Sequence, residues 1–384
     1  MKIAHLADLH IGRNLHGFSL IDDQVCILDQ IVSRIRQLGV GAVIIAGDIY
    51  DKPAPPAEAV KVFDKFLTEL ADGRISVFII SGNHDSPERL GFAGRIMQDR
   101  KVYICSVFQG QAEKITLKDE FGPINFYMLP FIKPAYVSRF YDDRRFETYN
   151  DALQAVCGSV QLNKEERNII ALHQFVTYPG TLPELSDSEN ISAGGLENVS
   201  AGLFEEYDYA ALGHLHRAQS AGFEHVRYSG SPLKYSFSEC SHKKSFTVAE
   251  FREKGSAEIY TEELYPLRDM RKIKGPIDML LSEETASEGS REDFIHITLT
   301  DEDEPADAMG RIRQVYINAM QLEYDNKRTQ SRNAPDEAAD IKKHSPGELF
   351  ESFYEELNGA VMSSVQKEIA ARLMEEAEEG YETD

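Results

Sequence analysis

What the chain lacks narrows it first. No apolar run approaches the ~18 residues that span a bilayer. An Asp at position 8 interrupts the opening MKIAHLADLH before a signal core could form, so export and membrane spanning are not expected. Only four cysteines occur, Cys26, Cys105, Cys157 and Cys240, with no CxxC pair and no disulfide-framework spacing, which suits a reducing cytoplasm. Positive charge is scarce as well: 41 Lys and Arg stand against 64 Asp and Glu, a net charge of −23. A protein that holds nucleic acid by bulk charge attraction has the opposite balance, so any such function must rest on local positive groups. Part of the acidity is concentrated at the end, where the last 49 residues carry a net −10.

What is present is an ordinary globular composition, 42% hydrophobic and 27% charged over 384 residues, enough for two or three domains. Up to about residue 265, short runs rich in Ile, Val and Ala alternate with helical patterns, the signature of an α/β domain with buried strands. KIAHLA (2–7), AVIIA (42–46), SVFII (76–80), NIIAL (168–172) and YAAL (209–212) are the strongest strand candidates, and helical periodicity runs through 20–38, closed by Gly39, and 57–71. Shorter strands are expected at 114–118, 124–129, 226–229, 245–251 and 257–263. A small α/β unit follows in the order strand (268–273), helix (276–282), strand (294–300), helix (305–316), strand (319–324). The polar stretch 329–344 reads as a linker. Beyond it, Ser345-Pro346-Gly347-Glu348 is a helix-start signature, with an apolar stripe through Leu349, Phe350, Phe353, Tyr354 and Leu357. A second helix repeats Val361, Val365, Ile369 and Leu373. These amphipathic faces dock either on their own domain or on a partner.

The chemistry lies at the ends of the strand-like runs. KIAHLA leads to Asp8 and His10, AVIIAG to Asp48 and Asp51, VFIISG to Asn83, His84 and Asp85, NIIAL to His173, and YAALG to His214 and His216. Loops at the carboxyl ends of strands are where α/β sheets project ligand-binding side chains. Each cluster alone reads as turn or core residues, but five of the 11 histidines falling in such positions is not a scattered distribution. Imidazole, carboxylate and amide without thiolate point to Mn²⁺, Fe²⁺, Mg²⁺ or Zn²⁺. Seven candidate ligands exceed the needs of one ion, and a carboxylate can bridge two ions about 3.5–4 Å apart on a phosphate ester.

The ordered blocks Asp-x-His, Gly-Asp-x-x-Asp, Gly-Asn-His-Asp, a single His and Gly-His-x-His, spread over residues 8–216, resemble the calcineurin-like metallophosphoesterases. The surrounding DLHIGRNLHGFS, GDIYDKPAPP and GNHDS are similar to its DNA-repair nuclease branch, and the likeness extends over nearly the whole chain. The resemblance implies an α/β/β/α four-layer sandwich over 1–265, a small α/β capping and DNA-binding domain over 266–328, a linker, and a helical partner-binding tail over 345–384. It implies two Mn²⁺ ions, one held by Asp8, His10, Asp48 and His216, the other by Asp48, Asn83, His173 and His214. His84 faces the phosphate as a charge-stabilising or proton-donating group, and Asp51 and Asp85 orient neighbouring rings. On this resemblance, metal-activated water would attack phosphorus in line. The implied activity is double-strand exonuclease and single-strand or hairpin endonuclease cleavage in DNA repair, recombination and replication. It is carried out by a homodimer within a heterotetramer that contains an SMC-like ATPase with a long coiled coil, in the cytoplasm and associated with the nucleoid.

Basic groups that could touch DNA backbone phosphates are Arg13, His16, Arg89, Lys234, Lys243 and Lys244, although each alone reads as a solvated surface charge. Phe350, Phe353 and Leu357 are the expected anchors for the ATPase. Two other readings use the same residues: a small-molecule phosphodiesterase or phosphatase, and a non-catalytic scaffold of the ATPase complex. The added domain and tail count against the first, and the complete ligand set against the second.

Overall fold

The computed structural model describes residues 1–142, 144–181, 183–189, 197–327, 329, 350–355, 361–367, 369–370 and 372–373. Two six-stranded sheets dominate it. The first runs, in spatial order, Ala257–Glu263, Ser245–Phe251, Lys2–Leu6, Ala42–Ala46, Ser76–Ile80 and Val102–Cys105. Its last four strands are parallel, while Ser245–Phe251 pairs antiparallel with both its neighbours. The second runs Gln219–Ala221, Phe223–Tyr228, Tyr209–Gly213, Arg167–His173, Gly122–Leu129 and Glu113–Asp119. Its four central strands are again parallel, with an antiparallel hairpin at either edge.

Both sheets are covered on both faces, which is why their central strands read as unbroken apolar runs. Every residue of Ala42–Ala46, Ser76–Ile80, Arg167–His173 and Tyr209–Gly213 is buried. One core layer joins sheet to sheet through Ile44, Phe78 and Ile80 on one side and Phe126, Met128 and Ile169 on the other. Phe78 stacks on Phe126 with ring centroids 4.0 Å apart. A second layer packs the helices Ile21–Leu38 and Ala57–Asp72 on the outer face of the first sheet, and a third packs the helix Tyr149–Ser159 on the outer face of the second. Helix, sheet, sheet and helix form the expected α/β/β/α sandwich. Gly39 ends the first helix at φ 66°, and the following Val40 N–H returns to the Ile35 carbonyl at 3.1 Å.

The expected strands and the two long helices form within a residue or two of their anticipated bounds, except that the strand expected at 226–229 begins three residues earlier, at Phe223. Among the elements of the two large sheets and their helices, the strands Val102–Cys105 and Gln219–Ala221 and the helix Tyr149–Ser159 were not anticipated. The helix has only Ala152, Leu153 and Val156 buried, too few to print a stripe, and Thr148 starts it by accepting a hydrogen bond from the Asp151 N–H at 3.1 Å. In the small α/β unit the strands are Met270–Gly275, Phe294–Leu299 and Ala319–Tyr324, in that order across a three-stranded sheet. The helices shrink to Ile277–Leu280 and Ala308–Arg313.

Residues 1–298 and 306–323 form one compact unit. Within it, the small sheet is tied to the sandwich by Arg268 on Asp23 (Nε–Oδ2 3.1 Å), Lys234 on Asp269 (2.7 Å) and the Phe294 ring against Phe18. Residues 299–305 and 324–384 form a second unit, in which 350–355 are helical and Phe350 and Phe353 are exposed. The Ser345 to Glu348 start signature, the linker from 330 and Leu357 lie outside the described residues. Among the described residues no helix is long and apolar enough to cross a membrane.

The sheet-to-sheet layer predicts a large response to truncation. Phe78→Ala should cost about 3–5 kcal/mol of unfolding free energy, read as a lowered urea midpoint at unchanged denaturant dependence.

Candidate metal centre

Parallel strands in both sheets point their carboxyl ends at the same edge of the sandwich. Lys2–Leu6, Ala42–Ala46 and Ser76–Ile80 deliver Asp8 and His10, Asp48, and Asn83 to Asp85; Arg167–His173 and Tyr209–Gly213 deliver His173, His214 and His216. The two sheets close tightly there because Gly213 has no side chain. A Cβ at that position would overlap the Ala46 carbonyl oxygen of the other sheet. Four of these residues take up left-handed backbone, Asp8 (φ 53°), His10 (42°), Asp48 (51°) and His214 (105°). Such conformations cost about 1–3 kcal/mol each for a residue with a side chain and cluster where a site needs an unusual direction.

The side chains converge. His10 Nε2 lies 3.2 Å from His216 Nε2 and 3.7 Å from Asp48 Oδ2, and His173 Nε2 lies 3.4 Å from Asp48 Oδ2. Asn83 Oδ1 stands 3.0 Å from His173 Nε2 and 3.1 Å from His214 Nδ1. Three groupings have ligand atoms all within 4.8 Å of one another: Asp8, His10 and His216; His10, Asp48 and His84; and Asp8, Asp48 and His173. All seven sequence-derived ligand candidates therefore meet, with His84 beside them. Asp8, His10, Asp48, His173, His214 and His216 are buried, and Asn83 and His84 are partly exposed.

The donor set fits divalent cations. His173 Nδ1 donates to the Ala46 carbonyl at 2.8 Å, which turns Nε2 inward. There Nε2 meets the Asn83 oxygen and the Asp48 carboxylate, an array of acceptors that a proton or a cation must occupy. The His10–His216 pair presents two imidazole nitrogens to each other in the same way. Charge follows this crowding. Burial raises Asp8 to about 7 against the opposing pull of His173 and His216. Burial pushes Asp48 up too, but His173, His10 and His84 outweigh it and hold its carboxyl well below the usual range. Burial lowers His173, yet Asp48 overrides it and brings the imidazole to about 9. Burial drives His10 well down and His214 to about 3, so both are neutral and ready to donate a lone pair.

The surrounding groups act mostly on the backbone, which corrects part of the sequence reading. Asp85 was expected to orient a ring. Instead its carboxylate accepts from the Ile49, Tyr50 and Gly82 N–H groups at 3.2, 3.0 and 2.9 Å, clamping the Asp48 loop to the Asn83 loop. Burial and the nearby Asp48 charge raise it to about 6 despite those bonds. Asp51 likewise pairs with Arg13 at 2.9 Å, and its carboxylate is 3.9 Å from His10 Nδ1; it is the Asp51 backbone carbonyl that receives His84 Nδ1–H at 2.9 Å.

The basic residues divide. His16 and Arg89 are exposed, Arg89 reaching the Pro53 carbonyl at 3.1 Å, and Lys243 has an 85% exposed side chain. Lys234 is bound to the Cys240 carbonyl and Asp269, at 2.8 and 2.7 Å. Lys244 is no DNA contact: it is buried, with Nζ on Glu239 (2.5 Å), the His216 carbonyl (2.8 Å) and Ser231 Oγ (2.9 Å). A cation whose three donors are spent inside the protein has nothing left for a surface phosphate.

That lysine belongs to a set of supports that left no pattern in the sequence. Ser188 Oγ contacts His216 Nδ1 at 2.7 Å and donates to Glu239 at 2.6 Å, while Glu189 accepts from the His216 N–H at 2.6 Å. Burial pushes Glu239 up, but the Lys244 charge and the His216 ring outweigh it and hold the carboxyl well below the usual range. Gln24 donates to the His10 carbonyl at 2.7 Å and accepts from the Gly12 N–H at 2.9 Å, and Tyr235 O–H donates to the Leu9 carbonyl.

With this geometry in place, comparison with known proteins gives a consistent picture. Residues 1–218 match the model of the calcineurin-like phosphoesterases, and residues 266–358 match the SbcD_C model, described as the type 5 capsule protein repressor C-terminal domain. The chain is 30% identical, over 97% of its own length and 98% of the relative's, to the SbcD subunit of nuclease SbcCD from Staphylococcus epidermidis. Solved structures with which it overlaps include TT1561 of Thermus thermophilus (13% identity, TM-score 0.40, 68% of this chain and 98% of that one). Another is a dimetal phosphatase from Danio rerio (13% identity, TM-score 0.42, 70% and 98%). Matched over more than half its length by the family model and over nearly all of it by that relative, the chain belongs to the calcineurin-like metallophosphoesterases, in the family of the SbcD nucleases.

Proposed function

We propose that the chain is the nuclease subunit of a DNA-processing complex and hydrolyses phosphodiester bonds with a divalent metal pair, Mn²⁺ by preference. The observation that carries this reading is the meeting of seven ligand-type side chains from five separate loops, with a partly exposed histidine at their rim. Asp8, His10, Asp48 and His216 would hold one ion and Asp48, Asn83, His173 and His214 the other, with Asp48 common to both. Asp48 suits the shared position because it is ionised and lies against both His10 and His173. When bound, such cations supply Lewis-acid neutralisation of phosphate charge and a more acidic water.

The chain's own part is positioning. His84 donates its Nδ1–H to the Asp51 carbonyl, which can only accept, so Nε2 is the atom left to face a substrate phosphate and to hold or give up a proton there. Its backbone N–H donates to Asp48 Oδ1 at 2.8 Å, so the phosphate-facing ring and the bridging carboxylate are set by one contact. Partial exposure suits a group that meets substrate, where the buried histidines around it suit ligands. Arg13, held by Asp51 and lying over the Tyr235 ring at 5.4 Å, together with exposed His16, Arg89 and Lys243, offers local positive charge for the flanking DNA backbone.

The wider organisation is proposed on the same family basis: a nuclease domain over 1–265, a capping and DNA-binding domain over 266–328, a linker over 329–344, and a tail over 345–384 that docks on an SbcC-type coiled-coil ATPase. Exposed Phe350 and Phe353 support the last of these. The assembly would be a homodimer of this chain within a heterotetramer, in the cytoplasm.

One assay decides the reaction: Mn²⁺-dependent cleavage of linear and hairpin DNA, with and without the ATPase and ATP, beside a small chromogenic diester. DNA cleavage is expected, and diester hydrolysis without DNA cleavage in the complete complex would point to a small-substrate enzyme instead. His84→Ala should keep both metals and lose about 10²–10³ in rate; metal content falling in parallel with rate would make His84 a ligand. Metal uptake should also release protons. Below pH 7 both Asp8 and His173 carry a proton that a cation must displace, between pH 7 and 9 only His173 does, and above 9 neither does. Calorimetric titration with Mn²⁺ in buffers of different ionisation enthalpy should therefore show about two protons near pH 6 and about one near pH 8, with affinity rising over that interval. A count that stays flat between pH 6 and pH 8 would contradict Asp8 as a ligand, and no proton release at pH 8 would contradict His173.

A further inference from the structure

A cavity of about 350 Å³ lies beside His216, which forms part of its wall. Its walls contain Arg217, Arg227, His242, Lys243 and Lys244, five hydroxyl side chains and, among the described residues, no carboxylate. In a chain of net charge −23 this is an unusual concentration of donors. Some of that charge is already spent: Lys244 is saturated by Glu239, the His216 carbonyl and Ser231, and Arg217 pairs with Glu184. The rest is not. Arg227 has no ion pair among the described residues, and its Nε is buried with no hydrogen-bond partner. His242 Nδ1 is buried and unpartnered in the same way. Lys243, 85% exposed, has only Glu263 at 3.9 Å.

A buried polar nitrogen left without a partner is unfavourable. A guanidinium with no ion pair among the described residues, five hydroxyl side chains and an exposed ammonium around one cavity are what a bound anion would satisfy. A guanidinium fork, hydroxyls and an ammonium match the tetrahedral oxygens of a phosphate group better than a planar carboxylate. The volume lies at the lower end of small-ligand pockets and is ample for a mononucleotide. We propose that this cavity is a binding site for a phosphate monoester, either a nucleoside monophosphate or inorganic phosphate itself, distinct from the metal centre it adjoins.

The test uses the full chain freed of metal, so that phosphate cannot bind at the metal centre and failure of the nuclease reading leaves the result interpretable. Calorimetric titration with inorganic phosphate and with deoxyadenosine monophosphate should show one site. Arg227→Gln should weaken it about tenfold or more, as loss of a charge-assisted bond implies. Lys243→Gln, at an exposed position whose replacement does not threaten folding, should weaken it too. Tighter binding of the nucleotide identifies a nucleotide site and equal binding a phosphate site; either supports the proposal. No binding to the metal-free protein, binding that appears only after Mn²⁺ is restored, or binding undiminished in both variants would overturn it.

Discussion

The carboxylate of Asp48 is the constraint around which the rest is arranged. It is buried beneath the loops, and a charge there is tolerable only because His173, His10 and the His84 N–H surround it. These groups, with the carboxylate itself, come from four separate stretches of chain, so the carboxylate can stay ionised only when both sheets are in place. Asp85 reinforces the arrangement from the other side, spending its oxygens on three backbone N–H groups instead of a ring. The site and the fold are thus one cooperative object, since each loop's charge is stabilised by its neighbours.

Strain enters through the same loops. Asp8, His10, Asp48 and His214 all adopt φ values that side chains avoid, within a few residues of strands that are buried where they lead into the site. Parallel strands covered on both faces are rigid enough to hold such turns. Gly213 allows the sheets to approach where the turns meet. The cost is local and the restoring packing is extensive, which is how a strained site persists in a marginally stable protein.

Electrostatics separates the molecule's overall charge from its local fields. The chain is strongly acidic, yet Arg13 lies at the rim of the centre and Arg227 and Lys243 line a cavity beside it. Paired acids explain how both can hold: Asp51, Glu239 and Glu184 are each committed to a nearby cation. An anionic ligand therefore meets positive or unpaired donors at close range, and the excess negative charge lies elsewhere, attenuated by salt beyond about 10 Å.

Most strand positions, the two long helices and the seven candidate ligands were legible in the chain because each depends on local pattern: continuous apolar runs where strands are buried on both faces, and ligand-type residues directly after them. The helix Tyr149–Ser159 was not, having only three buried residues to mark it. Nor were the roles of Lys244, Glu239, Ser188 and Gln24, whose partners lie between 5 and 51 residues away when they touch His216, His10 or one another. Lys244 is the clearest case, since nothing in its immediate neighbours tells a solvated lysine from one buried against a glutamate. Sequence determines which residues end each strand, because hydrophobic periodicity is local. Which of those ends share an edge, and which charges are buried together, is decided only when two sheets stack, because desolvation and hydrogen bonding depend on neighbours that the chain brings from afar.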